Sequence, residues 1–325
     1  MQRRAWGFWS VHKLDILGDY LDAFNTASKR AGKTVYLDLF AGTAENESRE
    51  TGEPIMGSAR RALDAAPPFT RLYFFDPPSD ARALDAALRS DYPGRDFSVI
   101  PGDSNTELPR ALADIRSANL AWTPIFAFLD PDNLSIQWST LEALAAFKRD
   151  RKYKVELWIL CFSSAMPRVL TIRDEPDAVG SELLTGFFGT EQWRAIHRAR
   201  AEGAIDASQA REEYVNLLRW RLQYRLGYRH TLAFEVKNIR GPLYHLVFAT
   251  DNGAGFRIMQ DLYTKAAREH EPMRREARER ERQRREGRRG IQSLFAPEEL
   301  ADVSLSEVTY HHEPPWPPLG SDVAT

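Results

Sequence analysis

Five short apolar runs, each closed by an acid or a turn residue, constrain this chain more than any other feature. They are Val35-Tyr-Leu-Asp-Leu39, Leu72-Tyr-Phe-Phe75, Phe97-Ser-Val-Ile100, Ile125-Phe-Ala-Phe-Leu129 and Val155-Glu-Leu-Trp-Ile-Leu-Cys-Phe162. A strand covered on both faces shows such a run rather than an alternation of apolar and polar residues. Helix-like stretches at about 58–66, 81–90, 106–118 and 139–148 separate the runs. Strand–helix alternation of this kind predicts a parallel sheet with helices on both faces.

The flanking segments extend that reading. Leu14, Leu17, Leu21 and Phe24 recur at helical spacing, with Asp15, Asp19 and Asp22 on the other side, so a first helix is expected over about 10–31 with Gly32 as its stop. Beyond Cys161 the pattern changes, and 163–226 reads as a mostly helical insertion with an aromatic cluster at Phe187, Phe188 and Trp193. Two strands follow, at about 230–236 and 243–249. The link Asn238-Ile-Arg-Gly-Pro242 is too short for a crossover helix, so they must pair antiparallel. A helix over about 255–268 is expected to pack on the sheet through Ile258, Leu262 and Ala266. Residues 268–289 hold 10 Arg and 6 Glu. Glu271/Arg275, Glu276/Arg280 and Glu281/Arg285 stand at the favourable i,i+4 spacing, so the expected form is an exposed, solvated helix, with a nucleic-acid or partner contact as the alternative. The division expected is an α/β domain over 1–267, a charged helix over 268–290, and a partly disordered tail over 291–325 containing Pro314-Pro-Trp-Pro-Pro318.

Composition narrows the function classes. A net charge of −2 argues against binding polyanions through overall charge alone. No apolar run of about 18 residues exists, so no membrane span is expected. The first residues lack the apolar segment of a signal peptide, and a cytoplasmic protein is the expectation. The single cysteine, Cys161, excludes an internal disulfide or a cysteine-rich metal site, and the seven histidines show no metal-ligand spacing.

The chemistry concentrates at the ends of the strands. Five parallel strands followed by an antiparallel pair is the sheet of a class I S-adenosylmethionine (SAM) methyltransferase, and the acids fit that ligand in turn. Asp38 precedes the turn Ala41-Gly-Thr-Ala44 and is expected to hold the ligand's amino group, directly or through water. Asp76 ends the second strand, where a carboxylate can take both ribose hydroxyls. Asp103, in Pro101-Gly-Asp-Ser-Asn105, can accept from the adenine amine. Each acid alone has a simpler reading as a helix cap; four at successive strand ends line the ligand edge together. The cofactor set expected is Asp38, Phe40, Ala41, Gly42, Asp76, Asp103 and Ser104. A nicotinamide dinucleotide fits less well, because Gly42-Thr-Ala-Glu-Asn-Glu47 lacks the second and third glycines and its glutamates would repel a pyrophosphate.

Asp130 ends the fourth strand in Leu129-Asp-Pro-Asp-Asn133, and Asp130, Pro131 and Asn133 form the expected catalytic corner. An Asp side chain and a nearby carbonyl there would hold the two hydrogens of a planar exocyclic amine. The aromatic of the Asp-Pro-Pro-Tyr pattern of amino-methyltransferases is missing. Phe75-Asp-Pro-Pro78 has closer letters but follows the second strand, where the ribose would sit. His12 and Lys13 are candidates for a lid or a base, with a surface helix start the favoured reading. Gly57-Ser58 is placed at the pocket mouth, and Cys161 in the core.

The chain resembles the three-Cys-motif partner protein family, a bacterial group with a methyltransferase-like fold. The similarity covers roughly residues 6–270. It rests on Trp9 to Leu21 with His12-Lys13, Tyr36-Leu-Asp-Leu-Phe-Ala-Gly42, Gly57-Ser58, Gly102-Asp-Ser-Asn105 and Phe128-Leu-Asp-Pro131. Phe187-Phe-Gly-Thr-Glu-Gln-Trp193, Leu243-Tyr-His-Leu-Val-Phe248 and Gly255-Phe-Arg-Ile-Met259 complete it. The resemblance implies SAM binding at Asp38, Gly42, Asp76 and Asp103, a reaction corner at Asp130 and Pro131, and a partner protein carrying a three-cysteine motif. Ala44 stands where the family usually has a second glycine, and Asp132-Asn133 replace an aromatic–glycine pair. The expected function is therefore a SAM-dependent methyltransferase, with a nucleic-acid exocyclic amine as the leading substrate. The alternatives are a regulatory partner that keeps the fold without turnover, and a small-molecule or peptide methyltransferase.

Overall fold

Successive residues of the apolar runs bury on opposite sides of one sheet, which is why those runs carry no polar face. The computed structural model describes residues 5–131, 133–148, 150–166, 178–289 and 310–321. In chain order the first half comprises β1 (Ala5–Trp6), α1 (Phe8–Ala27), β2 (Val35–Asp38), β3 (Glu45–Ser48), β4 (Pro54–Met56), α2 (Ser58–Asp64), β5 (Arg71–Asp76), α3 (Pro78–Asp91), β6 (Phe97–Pro101), α4 (Ser104–Ser117), β7 (Ile125–Leu129), α5 (Trp138–Ala146) and β8 (Glu156–Cys161). The second half comprises α6 (Ala178–Phe188), α7 (Trp193–Ala201), α8 (Ala207–Tyr224), β9 (His230–Asn238), β10 (Gly241–Thr250), α9 (Gly253–Arg289) and β11 (Tyr310–His311).

The main sheet runs β11-β9-β10-β8-β7-β2-β5-β6. β8, β7, β2, β5 and β6 are mutually parallel; β10 is antiparallel to both β8 and β9, as the short link between the last two long strands requires. Val35 and Leu37, Ile125 and Ala127, and Leu157 and Ile159 face a core closed by α4 to α8. Tyr36, Phe126, Phe128, Trp158 and Leu160 face the other core, closed by α1, α2, α3 and α9. The aromatic cluster Phe187, Phe188 and Trp193 and the thiol of Cys161 are fully buried in the first core.

Several expectations shift. The first helix spans Phe8–Ala27, and a short 3₁₀ turn carries the chain to Gly32, whose φ of 70° closes it in the left-handed region. α9 continues without a break from the sheet-packing segment through the arginine-rich one, crossing the boundary expected at 267. Its buried stripe is Met259, Tyr263, Ala266, His270, Arg274 and Ala277, one residue along from the expected Ile258 and Leu262, which are only partly buried. The shift places the Tyr263 hydroxyl between Trp158 Nε1, which donates at 2.6 Å, and the Leu246 carbonyl at 2.8 Å. A buried phenol needs such partners, and a leucine could not supply them.

The arginine-rich part is not solvated all round. Arg274 Nε donates to the Asn238 carbonyl at 3.0 Å and Arg278 Nε to the Ile239 carbonyl at 3.0 Å, clamping α9 onto the β9–β10 turn. Of the expected i,i+4 pairs, Glu276–Arg280 forms at 3.2 Å, whereas Glu271 pairs instead with Arg274 at 3.1 Å. Residues 310–321 of the expected tail are held: β11 pairs antiparallel with β9, and Asn216 exchanges two bonds with the Trp316 backbone at 2.8 and 3.0 Å. Proline-rich chain has little backbone freedom to lose on docking. Residues 290–309 and 322–325 lie outside the described ones. No helix among the described residues is long and apolar enough to cross a membrane.

Candidate functional site

A cleft of about 290 Å³ opens at the carboxyl ends of the central strands. Its walls include Phe40, Ala41, Gly42 and Thr43 from the turn after β2, Asp76 and Pro77 after β5, and Asp130, Asn133 and Ser135 after β7. Trp6, Leu14, Ser58 and Asp80 complete it. A second space of about 320 Å³ adjoins it, lined by Leu39, Phe40, Phe75, Asp76, Pro77, Pro78, Gly102, Asp103 and Ser104. Phe40, Asp76 and Pro77 belong to both, so one ligand can bridge the two halves. The chain order changes direction on either side of β2, and that switch in a parallel sheet is where ligands settle.

The turn after β2 is built for close approach. Gly42 has φ 62°, and a side chain placed there would enter open space rather than protein. Backbone geometry thus requires glycine while the cleft stays clear. At Gly57 the constraint is contact, since a Cβ would stand 2.4 Å from the Thr43 carbonyl. Ala44 is buried in the second core beneath this turn and is absent from the cleft walls.

The four strand-end acids divide by what holds them. Asp76 is nearly buried and faces both halves of the cleft. Asp103 caps α4, its Oδ1 accepting from Asn105 N at 3.0 Å, and also borders the outer half with Ser104. Asp38 lines neither half: it is fully buried, accepting from the Tyr36 hydroxyl at 3.2 Å and from Phe40 N at 3.3 Å. Burial pushes its carboxyl up to about 7, against the pull of the hydrogen bonds from Ser58, Phe40 and Tyr36. It is the floor of the turn rather than part of the cleft surface. Asp130 lines the inner half but is ion-paired with Lys13 of α1.

Lys13 is the largest departure from the expected surface helix start. Its side chain is 10% exposed, and Nζ lies 5.7 Å from the centre of the Tyr244 ring as well as on Asp130. His12 is buried too, its Nδ1 3.0 Å from Nδ1 of His270 on α9. Burial drives both imidazoles toward the neutral form, His270 down to about 3. Pro131 is buried outside the cleft walls, and Asp132 lies outside the described residues. The expected corner therefore reaches the cleft through Asp130 and Asn133.

Other contributors are visible only in three dimensions. Asn105 ties the loop after β7 to α4, its amide donating to the Ser135 carbonyl at 2.9 Å while its oxygen accepts from Gln137 N at 3.0 Å and the Thr140 hydroxyl at 2.7 Å. Trp6 reaches the cleft because β1, β3 and β4 form a small second sheet beside it. Among the described residues no group of His, Cys, Asp and Glu could hold a metal ion.

These features define an α/β protein with a large, mostly parallel sheet and a cleft at its strand ends. No family model and no curated protein matches the chain. Among solved structures it is similar to protein LPL1258 from Legionella pneumophila str. Philadelphia 1, described under family model DUF519. The identity is 9% and the TM-score 0.43, over 78% of this chain and 92% of that one.

Proposed function

We propose that this protein binds SAM across the two-part cleft and is a class I SAM-dependent methyltransferase. The observation that carries the reading is the sheet order β6-β5-β2-β7-β8-β10-β9 with β10 reversed, together with Asp76 at the centre of a cleft on its carboxyl edge. The combined space lies within the roughly 300–1,000 Å³ usual for small-molecule sites. In this reading Asp76 takes the ribose hydroxyls, with Asp103 and Ser104 on the adenine side and Ala41, Gly42 and Asn133 on the methionine side. SAM would supply an electrophilic methyl group; the protein's contribution is alignment of acceptor and donor. Nucleic acid is the leading substrate class, and a three-cysteine-motif protein the proposed partner.

The Lys13–Asp130 ion pair favours a second reading. An amine substrate would have to displace Lys13 to reach the Asp130 carboxylate, so a regulatory protein that keeps the ligand without turnover is the alternative. Calorimetry with SAM and with its demethylated product tests the common part. Both should bind, and Asp76→Ala should weaken each at least tenfold, about 1.4 kcal/mol, without lowering thermal stability. No heat at millimolar ligand ends the proposal. Labelled SAM incubated with DNA, RNA and protein extracts then separates the two readings, since only the methyltransferase transfers label.

A further inference from the structure

A third cavity, of about 350 Å³, opens where the end of β3, the β9–β10 turn and α9 come together. It is lined by Trp9, Arg49, Glu50, Asn238, Ile239, Arg240, Ala277, Arg280, Glu281 and Arg284. Four arginines face it against two glutamates, a local excess of positive charge in a chain whose net charge is −2. The arginines come from three separate parts of the chain. Arg49 follows β3, Arg240 sits in the β9–β10 turn, and Arg280 and Arg284 stand one turn apart on α9.

The rest of the arginine stripe explains how the cavity keeps its shape. Arg274 and Arg278 are used to fasten α9 to the β9–β10 turn, which carries Arg240 to the wall. Arg284 donates to the Arg49 carbonyl at 3.4 Å and to the Glu50 carbonyl at 2.9 Å, closing the far side. The Arg49 guanidinium lies 5.5 Å from the centre of the Trp9 ring. This geometry is held by backbone carbonyls from distant segments, whereas a solvated helix would need only its own i,i+4 pairs.

The cavity also abuts the proposed SAM site. Arg49 N donates to the Trp6 carbonyl at 2.7 Å, so a wall residue of one space is bonded directly to a wall residue of the other. Trp6 and Trp9 stand at the junction of β1 and α1, one facing each space.

We infer that this cavity binds the phosphodiester backbone of a single-stranded nucleic acid, whose neighbouring nucleotide is delivered to the cleft. The inference rests on the methyltransferase reading for its purpose but not for its binding chemistry. Guanidinium groups recognise phosphate oxygens through paired N–H donors, and an aromatic plane beside them suits an unstacked base. A linear polyanion matches arginines spread along a helix and a turn better than a compact monoester, which one or two of them would satisfy.

The test measures fluorescence anisotropy of labelled 20-nucleotide single strands of DNA and RNA on the full chain, without SAM, across a salt series. Arg240 and Arg280 are exposed, so R240A/R280A should fold normally, which a melting curve checks. The variant should lose at least tenfold in affinity, and its slope of log K against log salt should fall by about 1.4, which is about 0.7 for each phosphate no longer neutralised. R240K/R280K should recover most of the affinity. Failure of both strands to bind the wild type, equal affinity and slope in wild type and R240A/R280A, or binding of a nucleoside monophosphate with indifference to the oligonucleotides would each overturn the inference. SAM calorimetry on the same variant keeps the readings apart: oligonucleotide binding lost with R240A/R280A in a protein that never binds SAM would leave this site standing and remove the methyltransferase.

Discussion

Asp103 and Asp130 both follow the ends of parallel strands, yet the protein uses them differently. Asp103 caps its own helix, through an amide two residues away. Asp130 pairs with Lys13, 117 residues earlier, and that pair fixes the start of α1 over the proposed catalytic corner. The first arrangement is local grammar and any strand-to-helix turn can show it. The second needs the whole fold, since α1 must cross the sheet before the two charges meet. Cleft walls near Asp103 should therefore tolerate change, and those near Asp130 should not.

The sharpest break of that contrast is Lys13→Met. It leaves the Asp130 carboxylate facing Tyr244 without its cation. Removing one partner of a buried pair costs about 3–5 kcal/mol, and the 19% exposure of the Asp130 side chain puts the expected loss near the lower end, about 3 kcal/mol. Urea unfolding reads it as a lower midpoint. The double change Lys13→Met/Asp130→Leu should recover much of the loss, because the uncompensated charge is gone. A single variant as stable as the wild type would mean that Asp130 does not depend on Lys13 to compensate its charge.

Asp38 extends the contrast to an acid that is fully buried. Its carboxyl is pushed up to about 7 in the folded protein, against an ordinary value of 3.8. The folded state therefore holds a proton that the unfolded state releases between these values. That contribution is fully present below about pH 4 and is lost as pH rises toward 7. Asp38→Asn removes the linkage, so wild type should gain about 2 kcal/mol relative to the variant on going from pH 7 to pH 5. Parallel unfolding curves at the two pH values check the sign. A gap that stays constant would mean that Asp38 is ionised and its hydrogen bonds outweigh burial.

The legibility of the molecule follows the same division. Both cores follow from the strands, because a run such as Ile125 to Leu129 has no face that can meet water. The antiparallel pair follows from a link too short for any crossover. The small sheet leaves no such mark: β3 is Glu-Asn-Glu-Ser, a polar stretch that pairs with β4 on one side and with Ala5 and Trp6 of β1 on the other. Apolar periodicity finds Ala266 but misses the neighbouring buried positions of α9, because Tyr263 and His270 find hydrogen-bond partners inside that periodicity does not reveal. At the site, Phe40, Ala41, Gly42, Asp76, Asp103, Ser104, Asp130 and Asn133 do meet the cleft. Lys13 reads as a surface residue since a lysine's partner cannot be found in its sequence neighbours. The arginines of α9 divide into clamps and cavity walls for the same reason, their carbonyl partners lying in other elements.

Asp103→Ala carries the smallest effect and the cleanest check of the local half of the contrast. The change deletes the acceptor at the start of α4, where Asp103 Oδ1 takes both the backbone and the side-chain amide of Asn105 at 3.0 Å. Loss of a cap typically costs about 1 kcal/mol. Asn105 keeps its bonds to Ser135, Gln137 and Thr140, so the loop after β7 should hold its place and the cost should not spread to the Asp130 corner. Combined with Lys13→Met, the two losses should add within about 0.5 kcal/mol, as independent sites do. Strong non-additivity would show that the edge acts as one coupled unit, and that the cap and the ion pair are two ends of a single network through Asn105.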